Sequence, residues 1–179
     1  LYARRIGPGG SSWPTAQRLV SGNWYQSSPA IASDGAGGAI VSWVDSRNFF
    51  DAEMYAQRLR FDGLPLWTTD GVGLPQMRVT GASGLVSDGA GGAWIASASP
   101  VGTWVQRLSA SGVPWFPQGG VNLSERYVYP DGMRLVPTVN NGLIVVASGG
   151  EPFDIWAKRM FGNGSLGTVG VGGGPGVGS

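Results

Sequence analysis

The chain of 179 residues contains no cysteine and no histidine. Without thiols there is no disulfide, no thiolate nucleophile and no thiolate-held metal. Without imidazole the usual general base near neutral pH and the commonest transition-metal ligand are missing as well. Charge is sparse, at 13% of residues, and sums to +1. No strong field therefore draws in nucleic acid or an anionic membrane, and neither is expected as a partner. Lys158 is the only lysine. No apolar run approaches the ~20 residues of a membrane span, so membrane insertion is not expected. The opening "LYARRIGPGG" lacks the long apolar core of a signal peptide. What is abundant is glycine, with 32 residues, and tryptophan, with 8, in a chain whose 42% apolar content suffices for a packed core.

The glycines are not scattered. SDGAGGA stands at Ser33–Ala39 and again, letter for letter, at Ser87–Ala93. A second phrase recurs as LYARRI (from Leu1), MYAQRL (from Met54), TWVQRL (from Thr103) and IWAKRM (from Ile155). A third leads to tryptophan in "GGSSW" (Trp13), "DGLPLW" (Trp67) and "SGVPW" (Trp115). Self-similarity at ~50 residues is the mark of a repeat architecture. One full unit parses into four strands. "SPAIAS" and "AIVSWV" are joined by the Asp-Gly turn; a longer loop leads to "MYAQRLRF"; "VGLPQ" is a weak fourth. "AIVSWV" is apolar on both faces, which calls for cover on both sides. No segment carries a capped helical period.

The expected fold is all-β: β-propeller blades of four short antiparallel strands, in about three and a half repeats of ~50 residues. The expected division is a half blade at 1–20 (strands three and four of a preceding repeat), blades at 21–76, 77–126 and, degenerate, 127–167, and a Gly-rich tail or linker at 168–179. Three and a half units are too few for a typical ring. Three readings remain open: further blades from a longer chain, favoured because the start falls inside a strand phrase; a small ring in which the N-terminal half unit completes the last blade; or several copies assembling one ring as a homo-oligomer.

The phrases GGAIVxW, YAQRL and DGxPLW resemble the repeats of secreted bacterial β-propeller proteins. Their layout is similar to quinoprotein-like and sialidase-like blades. The resemblance implies the fold and an extracellular or cell-surface location. It implies no activity, because propellers host unrelated functions. The sialidase-type Asp-box spacing is only approximated by "SASGVPW" and "RFDGLPLW", and no quinone-cofactor cage can be placed.

As a phosphate cradle, SDGAGGA would need a helix after it; strand-like "AIVSWV" and "AWIASA" follow, which favours a hairpin turn. Trp13, Trp67 and Trp115 fit wedges between units. Arg5, Arg58, Arg107 and Arg159 recur in every copy, and each is expected to hydrogen-bond a loop of the neighbouring unit. The acidic loop with Asp45, Asp51 and Glu53 is the one candidate for Ca²⁺ or for a glycosidase pair, although Arg47 within it favours plain ion pairing. No catalytic residue and no other cofactor is assigned. Trp24, Tyr25, Phe49, Phe50, Tyr127 and Tyr129 break the repeat and are the candidate ligand contacts. The expected function is a non-catalytic exported module that binds a glycan or protein partner through its rim loops. The alternatives are a carboxylate-based, sialidase-like glycoside hydrolase and a structural part of a cell-surface assembly.

Overall fold

The chain is described by a computed structural model that covers residues 1–48, 52–78, 83–99, 102–117, 119–124, 128, 133–149 and 154–167. Phe49, Phe50, Asp51, Tyr127 and Tyr129 lie outside the described residues. Apart from one 3-10 turn at Val139–Asn141, every regular element described is a strand. A short N-terminal unit holds β1 (Tyr2–Ala3), β2 (Ile6–Gly7), β3 (Gly10–Ser11) and β4 (Gln17–Arg18), with β1 paired to β4 and β2 to β3. Three four-stranded antiparallel sheets follow, each with its strands in chain order. The first is β5 (Gln26–Ser33), β6 (Ala39–Asp45), β7 (Glu53–Leu59) and β8 (Val72–Arg78). The second is β9 (Ser83–Ser87), β10 (Ala93–Ser99), β11 (Gly102–Leu108) and β12 (Val121–Ser124). The third is β13 (Met133–Thr138), β14 (Gly142–Gly149), β15 (Asp154–Met160) and β16 (Leu166–Gly167). β8 continues to Arg78, past the unit boundary expected at residue 76.

Side-chain alternation explains how the sheets stack. Pairing of Ile40 with Arg58, Ser42 with Ala56 and Val44 with Met54 puts these six on one face of the first sheet. Val41, Trp43, Tyr55 and Leu59 share the other. The first face packs on Ala93, Ile95 and Leu108 of the second sheet. The other packs on Trp13, Leu19 and Val20 of the N-terminal unit. The second sheet repeats the pattern, burying Trp94, Ala96 and Leu123 against Leu143, Val145 and Met160 of the third. β6 and β10 are thus covered on both sides, as their two-faced apolar sequence requires. Burying one tryptophan such as Trp43 or Trp94 removes ~150–250 Å² from water, worth on the order of 4–6 kcal/mol before ordering costs.

Among the described residues the three sheets and the N-terminal unit form no closed ring. The first strands of successive sheets, β5, β9 and β13, lie side by side.

SDGAGGA forms the β5–β6 and β9–β10 hairpins. Gly35 and Gly37 sit at φ +76° and +81°, the left-handed region that L side chains resist. Gly38 serves a different purpose. A Cβ there would lie 2.1 Å from the Leu59 carbonyl oxygen, and one at Gly92 2.1 Å from that of Leu108. These glycines let the third strand cross directly against the hairpin.

Candidate functional site

In the first two full units the recurring arginine joins the hairpin to the next sheet. Asp34 Oδ1 accepts the backbone amides of Ala36 and Gly38, each at 2.8 Å. Its Oδ2 accepts Arg58 Nε at 3.0 Å and Nη2 at 2.9 Å. Asp88 repeats this with Ala90 and Gly92 at 2.8 and 2.9 Å, and with Arg107 at 3.1 and 2.8 Å. Burial alone would raise the Asp34 carboxyl; the amides and the Arg58 guanidinium outweigh it and hold the group below its ordinary value. The arginine then reaches onward. Arg58 Nη1 donates to the Ala110 carbonyl at 3.2 Å, and Trp67 Nε1 donates to the same oxygen at 3.0 Å. One unit earlier, Arg5 Nη1 and Trp13 Nε1 meet on the Phe61 carbonyl at 2.8 and 3.0 Å.

Each aromatic wedge lies over a turn glycine of the following sheet. A Cβ on Gly63 would meet the Trp13 ring at 3.1 Å, and one on Gly112 the Trp67 ring at 2.7 Å. The third member is not Trp115. Gly164 meets Phe116, at 2.7 Å, and Phe116 is 8% exposed whereas Trp115 is 55% exposed. The expectation for Trp115 is one residue out of frame. The bridges Leu59–Pro65 and Leu108–Pro114 show why: counting from the proline, Trp115 matches Leu66, and Phe116 matches Trp67. Buried Gln57 and Gln106 fix the frame. Gln57 accepts the Trp67 amide at 2.9 Å and Gln106 the Phe116 amide at 3.0 Å.

The two described carboxylates of the acidic loop, Asp45 and Glu53, are each engaged by structural partners. Buried Asp45 accepts Trp43 Nε1 at 3.0 Å, the Arg47 amide at 2.9 Å, and Arg47 Nε and Nη2 at 2.9 and 2.8 Å. Burial pushes its carboxyl up, but the Arg47 side chain and the Trp43 indole prevail and lower it. Glu53 accepts Asn48 Nδ2 at 3.0 Å. Among the described residues no three Asp, Glu, His or Cys side chains come together in a metal-holding group. Arg47 also lies 3.7 Å from the Tyr55 ring centroid and 5.0 Å from that of Trp24. Trp24 is therefore partly tied down, whereas the neighbouring Tyr25 is exposed.

The frame slip at Trp115 opens a cleft between the second and third sheets, about 480 Å³ in volume. Its walls include Arg107, Trp115, Asn141, Arg159 and Phe161. Arg107 sits 4.7 Å from the Trp115 ring centroid, and Arg159 4.9 Å from that of Phe161. The third hairpin has Thr138 where the first two have Asp34 and Asp88, each four residues before its glycine. Arg159 thus has no carboxylate partner among the described residues, and Asn141 accepts Arg107 Nη2 at 3.4 Å. The sequence placed Trp115 and Arg159 in the repeat and so passed over this cleft. Its signal was the loss of Asp and Gly from the third hairpin, "TVNNG".

Set against known proteins, the chain matches no family model, no curated protein and no solved structure. Among the described residues no helix is long and apolar enough to cross a membrane.

Proposed function

We propose that this chain is a non-catalytic module of an exported β-propeller kind, and that it binds a carboxylate-bearing glycan in the cleft between its second and third sheets. The blade reading is supported by four-stranded sheets that pack face to face with their first strands adjacent. The binding reading is carried by one observation: an exposed Trp115 ring lines the same cleft as Arg159, which has no carboxylate partner among the described residues. A flat indole suits the apolar face of a sugar ring, a guanidinium suits a uronic or sialic carboxylate, and the Asn140, Asn141 and Asn163 amides suit hydroxyls. A hydrolase is less well supported. Asp34, Asp45, Glu53, Asp62, Asp70 and Asp88 are each engaged by hydrogen-bond donors within the fold, which leaves no free carboxylate pair among them.

The test is titration calorimetry with uronic-acid, sialylated and neutral oligosaccharides. Acidic sugars should bind, Trp115→Ala should abolish binding, and Arg159→Gln should erase the preference for acidic over neutral sugars. Equal or absent binding of all three classes would refute the assignment.

A further inference from the structure

Asn141 and Asn163 are the two asparagines of the chain that precede a glycine, and both line the cleft between the second and third sheets. Glycine has no Cβ, so its backbone nitrogen can approach the side-chain amide of the residue before it with little hindrance. The fold treats the two pairs differently.

Asn163 is held in its turn. Its Oδ1 accepts the Ser165 amide at 3.0 Å and the Ser165 hydroxyl at 2.7 Å. The Gly164 amide nitrogen donates to the Phe161 carbonyl at 2.9 Å. The group that would be attacked and the nitrogen that would attack it are thus both directed at other partners.

Asn141 stands one residue before Gly142, the place of Gly37 and Gly91 in the first two hairpins. Like them it has positive φ, +57° against +81° and +85°. Asparagine tolerates this region better than most side chains, which explains how it can replace glycine there. Its surroundings are altered as well. In the first two hairpins an aspartate accepts the amides of Gly38 and Gly92, at 2.8 and 2.9 Å. The third has Thr138 in that place, with no carboxylate to do so. Asn141 is exposed, and its Oδ1 accepts Arg107 Nη2 at 3.4 Å, too long to pin the side chain. A guanidinium on that oxygen draws electrons from Cγ and stabilises the oxyanion that attack there forms. One unit earlier the same spot is bare: a Cβ on Gly91 would lie 2.9 Å from Arg58 Nη1.

We infer that Asn141 is a self-modification site. The Gly142 backbone nitrogen bonds to Asn141 Cγ, the bond from Cγ to the side-chain nitrogen breaks, and ammonia leaves with the proton shed by the Gly142 amide. Water then opens the cyclic imide to aspartate or its β-linked isomer. Water is the one co-reactant, and nothing is oxidised or reduced. The product sets a carboxylate beside Arg107, in a cleft whose other guanidinium, Arg159, has no carboxylate partner among the described residues. Modification returns to the third hairpin the negative charge that Thr138 lacks, and it cancels the positive charge that the cleft offers an acidic ligand. A molecule aged in this way loses its hold on acidic sugars. That effect on binding rests on the glycan reading; the modification itself does not.

The test is incubation of the full-length protein in mildly alkaline buffer, folded and in urea, with peptide mass mapping over time. In urea both asparagines should convert at similar rates, since glycine follows each. In the folded protein Asn141 should convert about tenfold faster than Asn163, read as the mass difference between an amide and an acid. Conversion of Asn163 at the same rate or faster overturns the inference. So does an Asn141 that stays intact in the folded protein for as long as the unfolded chain takes to react. Asn141→Asp then reads the consequence: it should bind uronic-acid oligosaccharides about tenfold more weakly than fresh wild-type protein. Wild-type affinity should fall in step with conversion, whereas that of Asn141→Gly, whatever its starting value, should hold constant. Equal affinity of Asn141→Asp and fresh wild type overturns the effect on binding. If fresh wild-type protein binds no acidic sugar, the glycan assignment fails, and the mass maps still decide whether Asn141 is modified.

Discussion

Replacing Asp34 with alanine removes one buried carboxylate and strands four donors. Two are the amides of Ala36 and Gly38, which close the hairpin. The others belong to Arg58, whose side chain is 14% exposed against 2% for Asp34, so water screens the pair little. Breaking a buried ion pair by deleting one partner costs about 3–5 kcal/mol, because the surviving charge stays desolvated. Some relief comes through the second Arg58 bond, to the Ala110 carbonyl, so Asp34→Ala is expected near the lower end, about 3 kcal/mol. Asp34→Asn keeps an oxygen for the two amides and should cost roughly half as much. Arg58→Met in the Asp34→Ala background removes the orphaned cation. The double variant should therefore be more stable than the sum of the single losses implies, with a coupling of about 1–3 kcal/mol. Urea unfolding of the four proteins, compared by midpoint at constant slope, measures all of this. An Asp34→Ala loss below about 1 kcal/mol, or strictly additive losses, would refute the claim that the carboxylate ties hairpin, third strand and neighbouring sheet together.

Three further outcomes follow from the same geometry. Trp67→Ala and Phe116→Ala should each cost about 3–5 kcal/mol, whereas Trp115→Ala, at an exposed ring, should cost under about 1 kcal/mol; thermal melts of the three variants separate wedge from non-wedge. Gly38→Ala places a methyl 2.1 Å from the Leu59 carbonyl oxygen and should prevent native packing of the first sheet, seen as loss of the near-ultraviolet tryptophan signal. The chain has no histidine, the side chain whose ordinary value lies between about pH 5 and 8, so stability should change little across that range. Asp34, Asp45 and Asp70 have folded values depressed below 3.8, so the stability they lend is complete above that value and drains away as pH falls through the lower folded values. Tyr55, raised above 10.0 chiefly by burial, gives the opposite limb, losing stability as pH rises past 10. Tm measured from pH 2 to 11 checks both ends.

The all-β class and the four-strand unit were legible in the sequence because both rest on local pattern. Alternation, Asp-Gly turns and a two-faced apolar strand point to one structure without knowledge of distant contacts. The chemistry of SDGAGGA was only half legible. Its glycines announce a turn, but the aspartate's partner, Arg58, lies 24 positions away in sequence and meets it only across the folded sheet. The same holds for Gly38, whose need for a bare Cα comes from Leu59 in the third strand. The misassignment of Trp115 has a physical source as well. Tryptophan identity is conspicuous in a repeat, whereas the frame is set by a proline bridge and by the Gln106 bonds to the Phe116 backbone, which only three-dimensional structure displays. Of the candidate ligand aromatics, Trp24 proves to be held by Arg47, while Trp115, placed among the wedges, is an exposed ring that borders a cleft.

One repeated device joins successive sheets: an aromatic wedge over a turn glycine, its indole bonded to the next unit wherever that wedge is a tryptophan. Hydrogen exchange of the indole N–H groups, resolved residue by residue by NMR, tests it most directly. Trp13 and Trp67, bonded to Phe61 and Ala110, should exchange slowly and together with the core amides, while Trp115 exchanges at nearly the solvent rate. Protection at Trp115 with fast exchange at Trp67 would contradict the account.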